Sequence, residues 1–431
     1  MNWIRRYYYP LFITLALCLA CIGMWWIAGH SEEFIHPDEL QTKPAVLYYA
    51  ENSRLPDVRD LSDDYFSGYG MTRLWELSVY YFLAGKLAAC FSFVWNYRLF
   101  NVLLGIGIAV IAIREVRRYP EISLAFCLTP QLWYLYSYAT SDAWDYFLCF
   151  LCLIEVVYPK SMLHKLLEEP GSQGRKWWRY LLVGTLFGLT LFSKKNFYLI
   201  PLWLGFYFFF TWLRADREKR RQILKCCICL LAIAFLVLGV RLAGDYVVYG
   251  TEKGQIVSEQ MELRAAPDYK LSIPAVNQAP SYHLREKGVT LPQMLFKTNF
   301  HALLGETFCG LYGAYAVGTN PVYYMLYGLL FLLLLILVFY RLWRQEERRF
   351  GRLECMVLMG LMAFSYVLVV INAWVTDFQP QGRYLFPCLI IICYGISLVP
   401  ELLRQRSFKL CTLALTGLSV ASFLGIAAAR L

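Results

Sequence analysis

YYMLYGLLFLLLLILVFY, residues 323–340, is uncharged throughout and shows no alternation of polar and apolar positions. At 1.5 Å per residue a helix of this length covers about 27 Å, close to the hydrocarbon thickness of a bilayer. Strands of a membrane barrel alternate apolar and polar residues, so a barrel is excluded. Comparable blocks occupy 7–28, 99–114, 122–139, 143–158, 180–193, 197–213, 226–243, 354–373, 384–402 and 409–427. Across all 431 residues, 58% are hydrophobic and 17% are charged, against about 45–50% and about 25% in soluble domains. The chain reads as an all-α polytopic membrane protein, which excludes a soluble enzyme, a disordered chain and a nucleic-acid binder.

The N-terminal block is too long for a typical signal-peptide core, and Trp25 and Trp26 suit the membrane interface. Leu19-Ala20-Cys21 faintly resembles a lipoprotein cleavage box by chance. Residues 74–93 also form an apolar block, but Glu76 and Lys86 lie within it. If this block crossed, the Arg-rich connections 114–121, 159–179, 214–225 and 341–353 would all face outward, against the positive-inside rule. As an interfacial helix it restores the rule for every later loop. The expectation is therefore a single membrane domain over 1–431 with about eleven spans. Its N-terminus faces the cytoplasm, its external loops are 29–97 and 244–320, and 403–408 joins the internal loops. Neither external loop is large enough for an enzyme domain with its own core.

Fourteen cysteines fall nearly all within apolar blocks, where Cys acts as a small hydrophobe. Cys226, Cys227 and Cys229 lack the accompanying His or Cys of a metal site, and no disulfide framework is visible. The formal charge of +10 reflects membrane orientation rather than an acidic partner.

Ionisable groups at span ends are costly unless they line a site, and on this topology a set of them meets the outer face. These are His36-Pro37-Asp38-Glu39, Asp142 and Asp145, Lys194 and Lys195, Glu306, and Asp377 with Gln381 and Arg383. Each has a plain structural reading. Pro37 and Asp38 can start a helix, and Asp142 can cap one. The lysines can snorkel to the interface, and Arg383 can mark a helix entrance. Together they suit sugar transfer. A carboxylate can take the proton of an attacking hydroxyl, while cations hold a phosphate and stabilise its charge on leaving.

Pro37-Asp38-Glu39 after the first span, Asp142, Lys194 and Gln381-Gly382-Arg383-Tyr384 with Pro387 resemble the marks of a large bacterial group of GT-C membrane glycosyltransferases. Gly305 to Gly313 is similar to that group's aromatic-glycine stretch. Protein O-mannosyltransferases and the lipid A aminoarabinose transferase are more distantly similar. The resemblance covers about residues 7–400. It implies a GT-C bundle at the bacterial plasma membrane, a polyprenyl-phosphate sugar donor, and inversion at the sugar carbon. Asp38 would be the base, supported by or exchanging roles with Glu39, and Arg383 with Lys194 or Lys195 would hold the phosphate. His36, Asp142, Asp145, Glu306, Gln381 and Tyr384 would support them. The acceptor is a glycan, a lipid or a protein. The chain departs from the oligosaccharyltransferase pattern, with no Trp-Trp-Asp-Tyr-Gly motif and no large C-terminal soluble domain. No cofactor is therefore required, and a divalent Mg or Mn ion stays an open alternative. Other readings are a lipid-pyrophosphate glycan polymerase or ligase, a lipid or polysaccharide transporter or flippase, and a non-catalytic assembly partner.

Overall fold

A computed structural model describes residues 2–168, 177–345 and 348–431. Parts of the expected internal loops 159–179 and 341–353 lie outside the described residues. The described chain is all-helical, with isolated bridges but no named strand. In order the helices are α1 (Asn2–His30), α2 (Glu39–Glu51), α3 (Val79–Ala88), α4 (Leu99–Glu115), α5 (Pro120–Cys127) and α6 (Pro130–Leu135). Next come α7 (Ser141–Val157), α8 (Met162–Glu168), α9 (Trp177–Thr190), α10 (Leu199–Arg214), α11 (Arg217–Tyr249) and α12 (Lys253–Arg264). The last are α13 (Leu291–Lys297), α14 (Phe300–Cys309), α15 (Pro321–Trp343), α16 (Gly351–Val375), α17 (Phe386–Ser397) and α18 (Arg406–Ser422).

Among the described residues, 8 helices are long and apolar enough to cross a membrane: Tyr7–His30, Asn96–Glu115, Ser141–Glu168, Lys195–Arg214, Arg217–Tyr249, Pro321–Trp343, Gly351–Val375 and Arg406–Arg430. This is a multi-pass membrane protein. The other three expected spans form shorter helices. Block 122–139 breaks into α5 and α6, because Thr129 caps a new helix that starts at Pro130; proline tolerates only the first turn of a helix. Block 180–193 is the 14-residue α9, and 384–402 is a shorter apolar helix over Gly382–Ser397. Short length here goes with position. Every residue from Phe386 to Ile396 in α17 is buried, and a helix apolar on all sides belongs in a core. The outer helices α11 and α15 instead expose Phe235, Leu236, Leu329 and Ile336, as a lipid-facing surface requires. The close pairing of α9 with α11 depends on Gly184 and Gly188, where an added Cβ would lie 2.7 Å from Ile233 Cβ and 2.8 Å from Val237 Cβ; small residues allow such approach between membrane helices.

Residues 74–93 contain the 10-residue α3, too short to cross, which packs on α2. The two long regions expected outside, 29–97 and 244–320, fold together at one end of the bundle. Val46, Tyr49, Tyr80 and Ala84 share one apolar cluster with Tyr249 and Ile256. Ala266 N donates to Gly68 O at 2.9 Å, and Arg264 pairs with Asp63. The cluster is drawn mostly from 29–97, and Tyr249 and Ile256 of the second region pack onto it.

Candidate functional site

The corner between α1 and α2 sets the site. A helix end leaves carbonyls without partners, and Arg98, at the start of the Asn96–Glu115 span, supplies them. Its Nη1 donates to Ala28 O at 3.0 Å and Ser31 O at 3.1 Å, and its Nη2 to Glu32 O at 3.1 Å. The same guanidinium grips Glu39 with both arms at 2.7 Å, Nε to Oε1 and Nη2 to Oε2. Arg98 is 1% exposed and Glu39 0%. His36 lies in the same corner, its Nε2 2.7 Å from Ser31 Oγ and its Nδ1 2.7 Å from Tyr134 OH. Burial, reinforced by the Arg98 charge, lowers its pKa well below the ordinary histidine value, so the ring is neutral. Ser31 Oγ already donates to Ile27 O, which leaves His36 Nε2–H as donor to Ser31 and Nδ1 as acceptor from Tyr134. His36 and Glu39 thus hold the corner together rather than face an open site.

Asp38 is turned the other way. Its backbone is left-handed, with φ 62°, a conformation that Asp and Asn adopt more readily than other non-glycine residues. Its side chain makes no capping bond to α2 and instead accepts from Arg383 Nη2 at 2.6 Å. Arg73 Nη2 lies 3.6 Å from its other oxygen. Burial raises the Asp38 pKa, but Arg383, Arg73 and Lys194 together outweigh it and hold the carboxyl well below the usual carboxylate range.

Asp142 is not the cap of α7; Thr140 is, with its side chain accepting from Asp142 N. The freed carboxylate, 1% exposed, meets Lys194 Nζ at 2.5 Å through Oδ1 and Arg383 Nη1 at 3.3 Å through Oδ2. Asp145, one turn on, accepts from the Lys194 backbone N–H at 3.2 Å. Arg383 is placed by Gly382, where a Cβ would overlap the Phe308 backbone, and by Gly382 N donating to Thr307 Oγ1 at 2.7 Å. The result is a continuous chain of charge: Arg73, Asp38, Arg383, Asp142, Lys194.

Two cavities border it, and a groove lies against the sequence neighbours of Lys194 and Arg383. This apolar groove, of about 400 Å³, lies between α16 and the turn at Lys195 to Leu199, with Leu368, Val369 and Ile371 along it and Lys195, Asn196 and Tyr384 among its polar residues. A cavity of about 90 Å³ lies beside Lys194, Asp145 and Arg73, walled by Trp75 and Trp144. Another, of about 20 Å³, adjoins Pro37, Gln131, Gln381 and Arg383. Among the described residues, Gln131 Oε1 and Arg383 Nε are buried there with no hydrogen-bond partner, a state that native proteins rarely leave unfilled.

Of the residues expected from the sequence, Asp38, Asp142, Asp145, Lys194 and Arg383 converge. Lys195 and Tyr384 border the groove, and Gln381 borders the smallest cavity. Glu306 is half-buried on α14, with no ion pair among the described residues. Arg73 and Arg98 were missing from the expected set. Arg98 left a signal: an Arg at a span start that the expected topology places outside runs against the positive-inside rule. Arg73 sits in a polar loop and left none.

Among the described residues no group of three or more His, Cys, Asp or Glu side chains is placed to hold a metal ion; Asp38 and Asp142 meet a shared guanidinium instead. Cys226, Cys227 and Cys229 are free thiols, buried, half-buried and exposed respectively. No family model matches the chain, and neither do curated proteins or solved structures.

Proposed function

We propose that this chain is an integral-membrane inverting glycosyltransferase of the GT-C type, moving a sugar from a polyprenyl-phosphate donor to an acceptor at the outer face of a bacterial plasma membrane. The observation that carries the reading is the charge chain from Arg73 to Lys194 beside an apolar groove with a lysine among its lining residues. The groove suits an isoprenoid tail, and Arg383 and Lys194 suit the phosphate, since a guanidinium can pair with two phosphate oxygens. A bound phosphate competes with Asp38 for Arg383 and so releases a carboxylate whose proton affinity was suppressed. Asp38 then takes the acceptor hydroxyl proton as that oxygen attacks the anomeric carbon. The bond from that carbon to the phosphate oxygen breaks, its electron pair stays on the phosphate, and the cations stabilise the added charge. No step is routed through a metal ion.

The site's cations are matched by Asp38, Asp142 and Asp145, which favours a monophosphate over the pyrophosphate of a polymerase or ligase. The charges lie at helix ends, whereas transporters favour broken helices at the midplane. Purified protein incubated with a polyprenyl-phosphate hexose labelled in the sugar should release unlabelled polyprenyl phosphate in step with acceptor labelling. Translocation of intact donor across a vesicle, with no release, would replace transferase by flippase.

The orientation follows from eleven passes, with α5 and α6 counted as one, α17 as a short buried member and α9 as a short member that exposes Trp177, Leu181 and Leu182. Helices α4, α7, α10 and α17 all begin at the Asp38 end. In a Cys-free background, cysteines placed at the exposed positions Glu33 and Val276 are expected to react with an impermeant thiol reagent on intact cells. Cysteines at Glu218 and Arg344, also exposed, should react only after the membrane is opened. Labelling of intact cells at 218 rather than 33 would invert the topology. Position 173, in an expected internal loop, lies outside the described residues.

A further inference from the structure

A further cavity, of about 630 Å³, lies at the opposite end of the same helices. α7 and α10 begin beside the charge chain and finish at its rim, with Val157 and Arg214 among the lining residues, and α17 ends there at Ser397. Its lining combines the apolar Val156, Leu167, Ile223 and Leu403 with the cations Arg118, Arg214, Lys219 and Arg348.

At its base Glu354 is 1% exposed and holds two guanidiniums. One oxygen accepts from Arg214 and lies 3.2 Å from Arg348 Nε, and the other accepts from Tyr394 OH at 2.8 Å. Cations that only obey the positive-inside rule extend into water. Arg214 and Arg348 turn inward instead, each 27% exposed in its side chain, and one carboxylate cannot neutralise both. The other acids of the cavity are Glu121 and Glu168. Glu121 is 5% exposed, and its Oε2 has no hydrogen-bond partner among the described residues. The four lining cations Arg118, Arg214, Lys219 and Arg348 thus face three carboxylates, Glu354, Glu121 and Glu168.

We propose that this cavity binds the phosphate of an anionic phospholipid, with the acyl chains against its apolar residues. A phosphodiester offers oxygens to both guanidiniums and supplies the charge that Glu354 lacks. Basic pockets between spanning helices take up anionic headgroups on this ground. The site is separate from the sugar-transfer reading, and failure of either leaves the other standing.

The test uses full-length protein, delipidated in zwitterionic detergent, with thermal unfolding followed during additions of dioleoyl phosphatidylglycerol, dioleoyl phosphatidylcholine or sodium phosphate. Phosphatidylglycerol is expected to raise the midpoint saturably, and the other two are not. The double variant R118Q/K219Q, at the mouth and clear of Glu354, should weaken the apparent affinity roughly ten- to thirtyfold. R221Q/K225Q, which removes two exposed cations of α11 that do not line the cavity, should leave it unchanged. Equal losses in both variants would reduce the effect to diffuse surface charge and overturn the site. Equal shifts from both phospholipids would overturn it as well. A saturable shift from sodium phosphate alone would keep the phosphate chemistry and overturn the lipid as its source.

Discussion

Asp38→Asn is expected to lower single-turnover sugar transfer by on the order of 10²–10⁴, the usual cost of losing a general base, while the protein folds and keeps its donor. Asn is the informative replacement because it tolerates the left-handed backbone at φ 62°, where Ala would be strained. The neighbouring substitution separates chemistry from architecture. Glu39→Gln breaks a fully buried pair with Arg98, and removing one partner of such a pair costs about 3–5 kcal/mol of stability. The molecules that still fold should turn over normally. The reverse pattern would hand the base role to Glu39. The pH profile gives a third reading. With its pKa depressed, Asp38 is ionised at neutral pH, and its ion pairs contribute there and are lost only as pH falls through that lowered value. A donor phosphate that draws Arg383 away raises the Asp38 pKa in the complex. The acid limb of kcat should therefore lie at higher pH than the acid limb of kcat/KM, since the first reports the complex and the second the free enzyme.

That Asp38 and Glu39 part company shows where one-dimensional reading ends. Adjacent residues at a helix start do not face the same way, and only the corner geometry says which carboxylate is free. Hydropathy located α11, α15 and α16 because lipid demands long apolar helices. It overcounted long helices at 122–139 and 384–402 because a helix buried among other helices is as apolar as one in lipid, and can be shorter. Thr129-Pro130 is a helix-start signal inside the apolar run, and the reading of 122–139 as one block passed over it. The convergence of Asp142, Lys194 and Arg383 was legible because all three stand at span ends that topology puts on one face. Arg73 was not, since nothing in a polar loop marks the cation that folds back onto Asp38. Lys194 and Lys195 could not be separated by sequence. The structure gives the first to Asp142 and the second to the groove.

Arg383→Ala is expected to lower single-turnover transfer on the order of 10²–10³, as loss of one preorganised donor to a developing anion does, and to weaken donor binding as well. Arg383 bridges two carboxylates through separate nitrogens, Asp38 at 2.6 Å and Asp142 at 3.3 Å, and is 7% exposed. A lysine at 383 offers one point charge and cannot span both, so Arg383→Lys should bind donor noticeably more weakly and recover only part of the rate. An interfacial Arg with no site role predicts otherwise, because Lys and Arg snorkel equally well. The discriminating measurement is donor affinity beside single-turnover rate for both variants in one detergent preparation, with thermal unfolding to confirm the fold. Folding survives on this argument because Asp142 keeps Lys194 and Asp38 keeps Arg73. Unchanged affinity and rate for the Lys variant would remove Arg383 from the phosphate site and leave Lys194, already 2.5 Å from Asp142, as the cation that meets the donor.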